Sequence, residues 1–224
     1  VKAINVIATL AMTAVSMAAA DVQVDDLRAG AGLLSKNFTG GSNFTVTSSN
    51  GSVNGSSSGD GTGTDAHRNS RGELQWMAGH LGDAGGFIYG VDLADNRATF
   101  DQGSTTATYD TPVIDLNLGY GYAVTHNLHF ELTGFGGFGW TYFKISSQNN
   151  VSEKFHEHYL EYGARLGGYY TFDNRLQVGV EIPYLVGNFH PSFSSSDSNG
   201  DTVSYSNHER NKGLGLLVQV GVRL

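Results

Sequence analysis

The chain has 224 residues, with 31 Gly, only 3 Pro and no Cys. Glycine is at about twice its usual share, yet no Gly-X-Y period is present, which excludes collagen. The missing cysteines exclude disulfide frameworks, thiolate catalysis and Cys-ligated zinc. A net charge of −8 and a pI near 5.3 argue against nucleic acid as a partner, because such binders carry a basic footprint. Mean hydropathy is −0.22, and beyond the N-terminus no apolar run is long enough for a membrane helix. A transmembrane β-barrel stays open, since its strands are only half apolar and vanish in an average.

The N-terminus reads as an export signal. Lys2 precedes an apolar stretch from Ile4 to Val15, and Ser16-Met17-Ala18-Ala19-Ala20 has the small-residue pattern of a cleavage site. A buried helix is the alternative, but helix-capping signals are missing. The expected organisation is a cleavable signal at 1–20 and one domain at 21–224.

From Asp25 onward the apolar period is two, as strands require. Asp25–Ser35 alternates weakly, with Leu27, Ala29, Ala31 and Leu33 opposing Arg28, Gly30, Gly32 and Leu34. In Arg71–His80, Leu74, Trp76 and Ala78 oppose Glu73, Gln75, Met77 and Gly79. Gly86–Ala94 sets Phe87, Tyr89, Val91 and Leu93 against Ile88, Gly90 and Asp92. Thr111–Val124 sets Ile114, Leu116, Leu118, Tyr120 and Tyr122 against Asp115, Asn117, Gly119 and Gly121. From Asn127 the parity holds through Tyr142, with His129, Glu131 and Thr133 on the polar side. Tyr159–Phe172 puts Glu161, Arg165 and Tyr169 together. The run from Arg175 does the same for Gln177, Glu181 and Leu185, and the C-terminal run for Leu217, Gln219 and Arg223. Eight strands result.

Connections alternate in length. Tight turns rich in Gly, Asp and Asn fall at Gly82–Gly85, Thr125–Asn127 and Phe172–Asn174, residue types that tolerate hairpin geometry. Long polar connections are expected at Asn37–Ser70, Asn96–Asp110, Ser146–Lys154 and Pro191–Arg210. The first of these, with its Ser/Gly/Asn tract, lacks the apolar content for a core.

Alternation does not say which face is inside. A soluble barrel turns its apolar set inward and a membrane barrel turns it outward. Three features favour the membrane. The polar set is full of Gly, which suits a narrow lumen. Trp76, Trp140, Tyr120, Tyr122, Tyr142, Tyr170 and Phe172 sit toward strand ends, as interfacial girdles do. Short turns alternate with long loops, as on the periplasmic and extracellular sides of outer-membrane barrels. The ending Val220-Gly221-Val222-Arg223-Leu224 is similar to the C-terminal strand signal of bacterial outer-membrane barrels, with Leu224 where an aromatic residue is usual. In layout the chain resembles the small eight-stranded barrels of the OmpA transmembrane-domain and OmpX type. The resemblance implies an all-β, eight-stranded antiparallel up-and-down transmembrane β-barrel in the bacterial outer membrane, with both termini periplasmic. It also implies outer-membrane lipid as surroundings, barrel-assembly machinery reading Val220–Leu224, and a monomer.

Parity then fills the lumen with Arg28, Glu73, Asp92, Asp115, Glu131, Glu161, Arg165, Glu181 and Arg223, joined by His129 and Gln177. Buried carboxylates need partners, so an arginine-centred network plugging the lumen is expected. The rival expectation is a narrow cation-preferring passive pore. His190-Pro191-Ser192 has the His-x-Ser spacing of outer-membrane lipid A deacylases, which raises a lipid-modifying enzyme as a further alternative. His156 and His158 could share a strand face as metal ligands, and Asp60–Asp65 hints at calcium without the spacing of a known loop. None of these is a specific signature. The reading is a non-enzymatic envelope protein without a cofactor, whose surface loops contact an extracellular ligand of unknown identity.

Overall fold

The computed structural model describes residues 22–48, 51–59, 66–102, 105–147, 152–189, 192–196 and 202–224. The expected signal at 1–20 lies outside them. Among the described residues there are ten strands and no helix: β1 Val22–Ser48, β2 Gly51–Gly59, β3 Ala66–Leu81, β4 Gly86–Gln102, β5 Thr105–Ala123, β6 Leu128–Ser147, β7 Ser152–Thr171, β8 Leu176–Phe189, β9 Ser192–Ser196 and β10 Thr202–Arg223. Every neighbouring pair is antiparallel. β1 pairs with both β3 and β10, closing the sheet into an eight-stranded barrel of β1, β3–β8 and β10. β2 and β9 are short additions that pair with the far ends of β1 and β10.

Closure decides the faces. The outward set is apolar: Leu33, Phe87, Leu116 and Leu118 are 72, 75, 66 and 66% exposed, whereas Asp26, Arg28, Asp92 and Asp115 are wholly buried inside. An apolar girdle around a charged interior is stable only where lipid, not water, surrounds the wall. On β10 the outward stripe runs through Leu214, Leu216, Val218, Val220 and Val222, about the nine to eleven residues that a tilted strand needs to cross a bilayer. Trp76, Trp140, Tyr120, Tyr142, Tyr170 and Phe172 all lie on the outer surface. Edge-to-face contacts tie Trp76 to Tyr89, Phe138 to Trp140 and Tyr170 to Phe172.

The short connections share one end. Gly82 and Gly85 close the β3–β4 turn, where Gly85 adopts a φ of 87°, and the Tyr120 hydroxyl donates to the Ala84 carbonyl beside it. Arg175 turns the chain from β7 to β8 with a φ of 69°. In the β5–β6 turn, Thr125 Oγ1 accepts from the amides of Asn127 and Leu128.

At the opposite end the structure corrects the expected loops. Residues 96–102 and 105–110 continue β4 and β5 as a paired ladder. β6 and β7 remain paired to Ser146 and Ser152, and β1 pairs with β10 as far as Thr47 and Thr202. These extensions are rich in Thr, Ser, Asn and Gly. They are held by the backbone ladder, and their apolar residues, such as Phe44, Val46, Phe100 and Tyr109, are too scattered among polar ones to give a continuous period of two. β6 has 20 residues, roughly twice the length needed to cross the hydrocarbon; the surplus stands beyond the apolar band.

Candidate functional site: the barrel lumen

Inward positions on all eight barrel strands converge on two guanidinium centres. The one nearer the short turns is built on Arg28, whose cross-strand partner is Gln75. Arg28 Nε donates to Gln177 Oε1 at 2.8 Å, and Nη1 to Gln75 Oε1 at 3.0 Å. Nη1 and Nη2 grip both oxygens of Glu131 at 2.8 and 2.6 Å, and Nη2 also reaches Asp26 Oδ2 at 2.8 Å. This fork-on-fork pairing is the strongest form of the interaction. Gln177 Nε2 and Arg223 Nε donate to the two Asp26 oxygens at 2.8 and 3.0 Å, and His129 Nε2 lies 3.0 Å from Glu131 Oε1. The guanidinium also lies 3.7 Å above the Tyr169 ring, against which His129 stacks.

The second centre lies deeper along the strands and holds two cations. Arg71 donates to Glu73 at 2.7 Å, Glu161 at 2.7 Å, Asp115 at 2.6 Å and Asn96 at 3.1 Å. Arg165 pairs with Asp92, and its Nη2 lies 3.5 Å from Asp115 and 3.8 Å from Glu73. Asn96 steadies Glu161 at 2.8 Å and Gln219 steadies Glu73 at 2.6 Å. The Tyr169 hydroxyl donates to Glu181, joining the two centres. Asp115 Oδ1, Glu181 Oε2 and both polar atoms of Asn117 are buried with no hydrogen-bond partner.

Glycine makes room for this bulk. A Cβ at Gly167 or Gly179 would strike the Tyr169 ring at 2.7 and 2.3 Å. One at Gly163 would strike Phe135 at 2.6 Å, and one at Gly187 would strike the Tyr159 ring at 2.6 Å. Tyr169, Phe135 and Tyr159 each lie across the bare backbone of a glycine. Apolar residues close the column at the turn end, where Val22, Val24, Met77, Leu81, Ile88 and Ala123 form one buried cluster. Beyond the second centre, Leu34, Phe135 and Leu185 form another, and Val113 packs with Tyr159.

All nine lumen residues expected from parity face inward, with Arg223 at the mouth, 17% exposed. Sequence reasoning missed Arg71 and Asp26. Arg71 shares the odd parity of Glu73 and Gln75, and Asp26 the even parity of Arg28, so continuing the alternation by one step would have found both. Among the described residues, one group has metal-ligating spacing: Asp26, His129 and Glu131. Arg28 already sits on both of its carboxylates, so the group lacks the open, uncompensated charge that a cation needs. His158 is exposed on β7; the side chain of His156 lies outside the described residues. His190, Pro191 and Asp60–Asp65 lie outside them as well, so the His-x-Ser pair and the calcium hint have no described geometry.

The model of the outer membrane protein beta-barrel domain matches residues 7–219. The chain belongs to that family. Its place is therefore the outer membrane. A search of the curated proteins gives no match. Among solved structures, Ail, the attachment invasion locus protein of Yersinia pestis, is 15% identical, with 88% of this chain and 99% of that one covered at a TM-score of 0.34. The outer membrane protease OmpT from Escherichia coli is 10% identical over 86% of this chain and 96% of its own, at a TM-score of 0.32. The translocator domain of the autotransporter NalP from Neisseria meningitidis is 15% identical over 92% and 91%, at 0.22. Likenesses at this level carry no functional argument.

Proposed function

We propose that this outer-membrane barrel is a non-enzymatic, non-conducting envelope protein that carries its contact surface on the long hairpins. The observation behind this reading is the filled lumen. Buried side chains occupy both guanidinium centres, and apolar clusters lie at either end of the charged column. An eight-stranded barrel is just wide enough for its side chains to fill. Among the described residues, the cations of that column are gripped by its carboxylates. The strands instead continue past the apolar band as paired ribbons, and β2 and β9 widen the β1–β10 ribbon to four strands. That investment in ordered backbone suits recognition of a partner outside the membrane, with the short turns and both termini on the periplasmic side.

The test is to delete residues 40–59, which removes β2 and the part of β1 it pairs with. Cells displaying the full chain are expected to adhere to a cultured-cell monolayer, and cells displaying the shortened chain are expected to lose that adhesion. The shortened chain should still fold, seen as a gel band that shifts only on boiling. Equal adhesion by both would remove this hairpin from the contact surface.

A further inference from the structure

The ribbon that stands above the barrel carries a strand edge that its sequence does not defend. β2, Gly51–Gly59, pairs along its whole length with residues 40–48 of β1, and β1 pairs on its other side with β10. Below β2, on the same flank of β1, stands β3, whose outer neighbour is β4. β4 meets the start of β3 at Phe100 and ends at Gln102, so it stops short of β2. Among the described residues, β1 is therefore the one strand paired with β2, and the other edge of β2 presents its backbone N–H and C=O groups outward. Natural sheets guard such edges with charge, proline or brevity. On the far side of the ribbon, β9 has five residues and follows Pro191. β2 has nine residues, Gly-Ser-Val-Asn-Gly-Ser-Ser-Ser-Gly, with neither a charge nor a proline.

The sequence of β2 also says what fits there. It reads nearly the same in either direction about Gly55: Gly51 answers Gly59, Ser52 answers Ser58, and Asn54 answers Ser56. Two copies of β2 laid antiparallel about Gly55 therefore set uncharged residues against uncharged residues at every step, with Val53 opposite Ser57 the bulkiest. A self-complementary patch on a two-fold axis is the commonest form of protein self-association, and the antiparallel ladder is the more stable of the two. We propose that β2 is a self-docking edge, which takes β2 of a second copy of this chain in an antiparallel pair centred on Gly55. β2 continues the line of the barrel wall away from the membrane, so an antiparallel partner points the opposite way and its barrel stands in a facing membrane. The contact joins two cells and not two neighbours in one bilayer. This inference rests on the reading of the hairpins as the contact surface and adds one partner to it, the same chain on another cell.

The chain has no cysteine, so an introduced thiol reports on its own neighbour alone. Cells displaying full-length Gly55→Cys should give a disulfide-linked dimer on mild oxidation, because facing residues of an antiparallel pair have Cα atoms about 4.5–5.5 Å apart, within disulfide reach. Ser52→Cys alone should give none, since its position lies opposite Ser58 of the second copy. Cells displaying Ser52→Cys mixed with cells displaying Ser58→Cys should give the dimer. No dimer from Gly55→Cys or from the mixture would overturn the proposal, and so would a dimer from Ser52→Cys alone, the mark of parallel pairing within one membrane. Should the thiol variants fail to reach the surface, charge decides. Asn54 and Ser56 pair with the uncharged Thr45 and Asn43 on β1. Cells displaying N54K/S56K, or N54E/S56E, should lose the clumping of cells that display the wild type, because like charges directly opposite each other repel. An equal mixture of the two should regain it. Clumping that survives in both variants, or no recovery in the mixture, would overturn self-pairing. If these tests fail while deletion of residues 40–59 still abolishes adhesion to the monolayer, the self-partner is lost and the contact surface stands.

Discussion

The two guanidinium centres of the lumen solve the same problem differently. Each nitrogen of the Arg28 guanidinium has an acceptor, two carboxylates face the cation, and Arg223 and two glutamines complete the shell. Around Arg71 and Arg165 four carboxylates pair with two cations, Glu181 is held by Tyr169 instead, and several buried oxygens have no partner. A balanced buried network tolerates no loss of any member. One with surplus acid can lose an acid cheaply, but not a cation. Position in the barrel is therefore a poor guide to sensitivity, and the local count of charge is a better one.

That contrast sets an order of effects. Arg71→Met should be the most damaging substitution, because it leaves Glu161 without that cation and Glu73 and Asp115 with only their longer contacts to Arg165. A loss of at least about 3–5 kcal/mol is expected, read from urea unfolding followed by the boiling-dependent gel shift. Arg28→Met should cost somewhat less, since Arg223 remains on Asp26. A smaller loss for Arg71→Met than for Arg28→Met would reverse the ranking. Next comes a pair of neutralisations. Glu131→Gln breaks the two-pronged grip of Arg28 and should cost about 1.5–3 kcal/mol. Asp115→Asn relieves surplus negative charge and should change stability by less than about 1 kcal/mol, in either direction. Equal losses would mean that charge balance does not separate the centres.

The glycines supply a further test that does not involve charge. Gly179→Val must push its side chain into the Tyr169 ring, and overpacking of that kind costs roughly 1–3 kcal/mol. Gly72→Val meets nothing within 4 Å and should leave the unfolding midpoint within experimental scatter. A destabilised Gly72→Val would show that the outer wall, not the lumen, limits tolerance.

The barrel was legible in the sequence because lipid outside and charge inside impose opposite polarity on successive residues. Arg28, Glu131, Arg165 and Glu181 could be placed in the lumen from parity alone. Arg71 escaped because it stands where the alternation fades into the polar run before it. The pairing of residues 96–102 with 105–110 was illegible for a related reason. Ala98 is buried and Tyr109 packs against Val113 and Tyr159, but the polar residues between them, Asn96, Arg97, Thr99 and Thr108, break any apolar run, and the backbone ladder defines the ribbon. Which acid meets which arginine was also beyond the sequence, since those contacts cross the lumen between strands distant in the chain, as Arg28 on β1 does with Glu131 on β6.

The central claim is that the lumen is filled and does not conduct. The purified barrel should be inserted into planar bilayers in concentrated potassium chloride, with insertion verified by the boiling-dependent gel shift of the recovered protein. A filled lumen should leave the membrane silent across the accessible voltage range. Discrete, reproducible, cation-selective steps from the inserted, folded protein would contradict it.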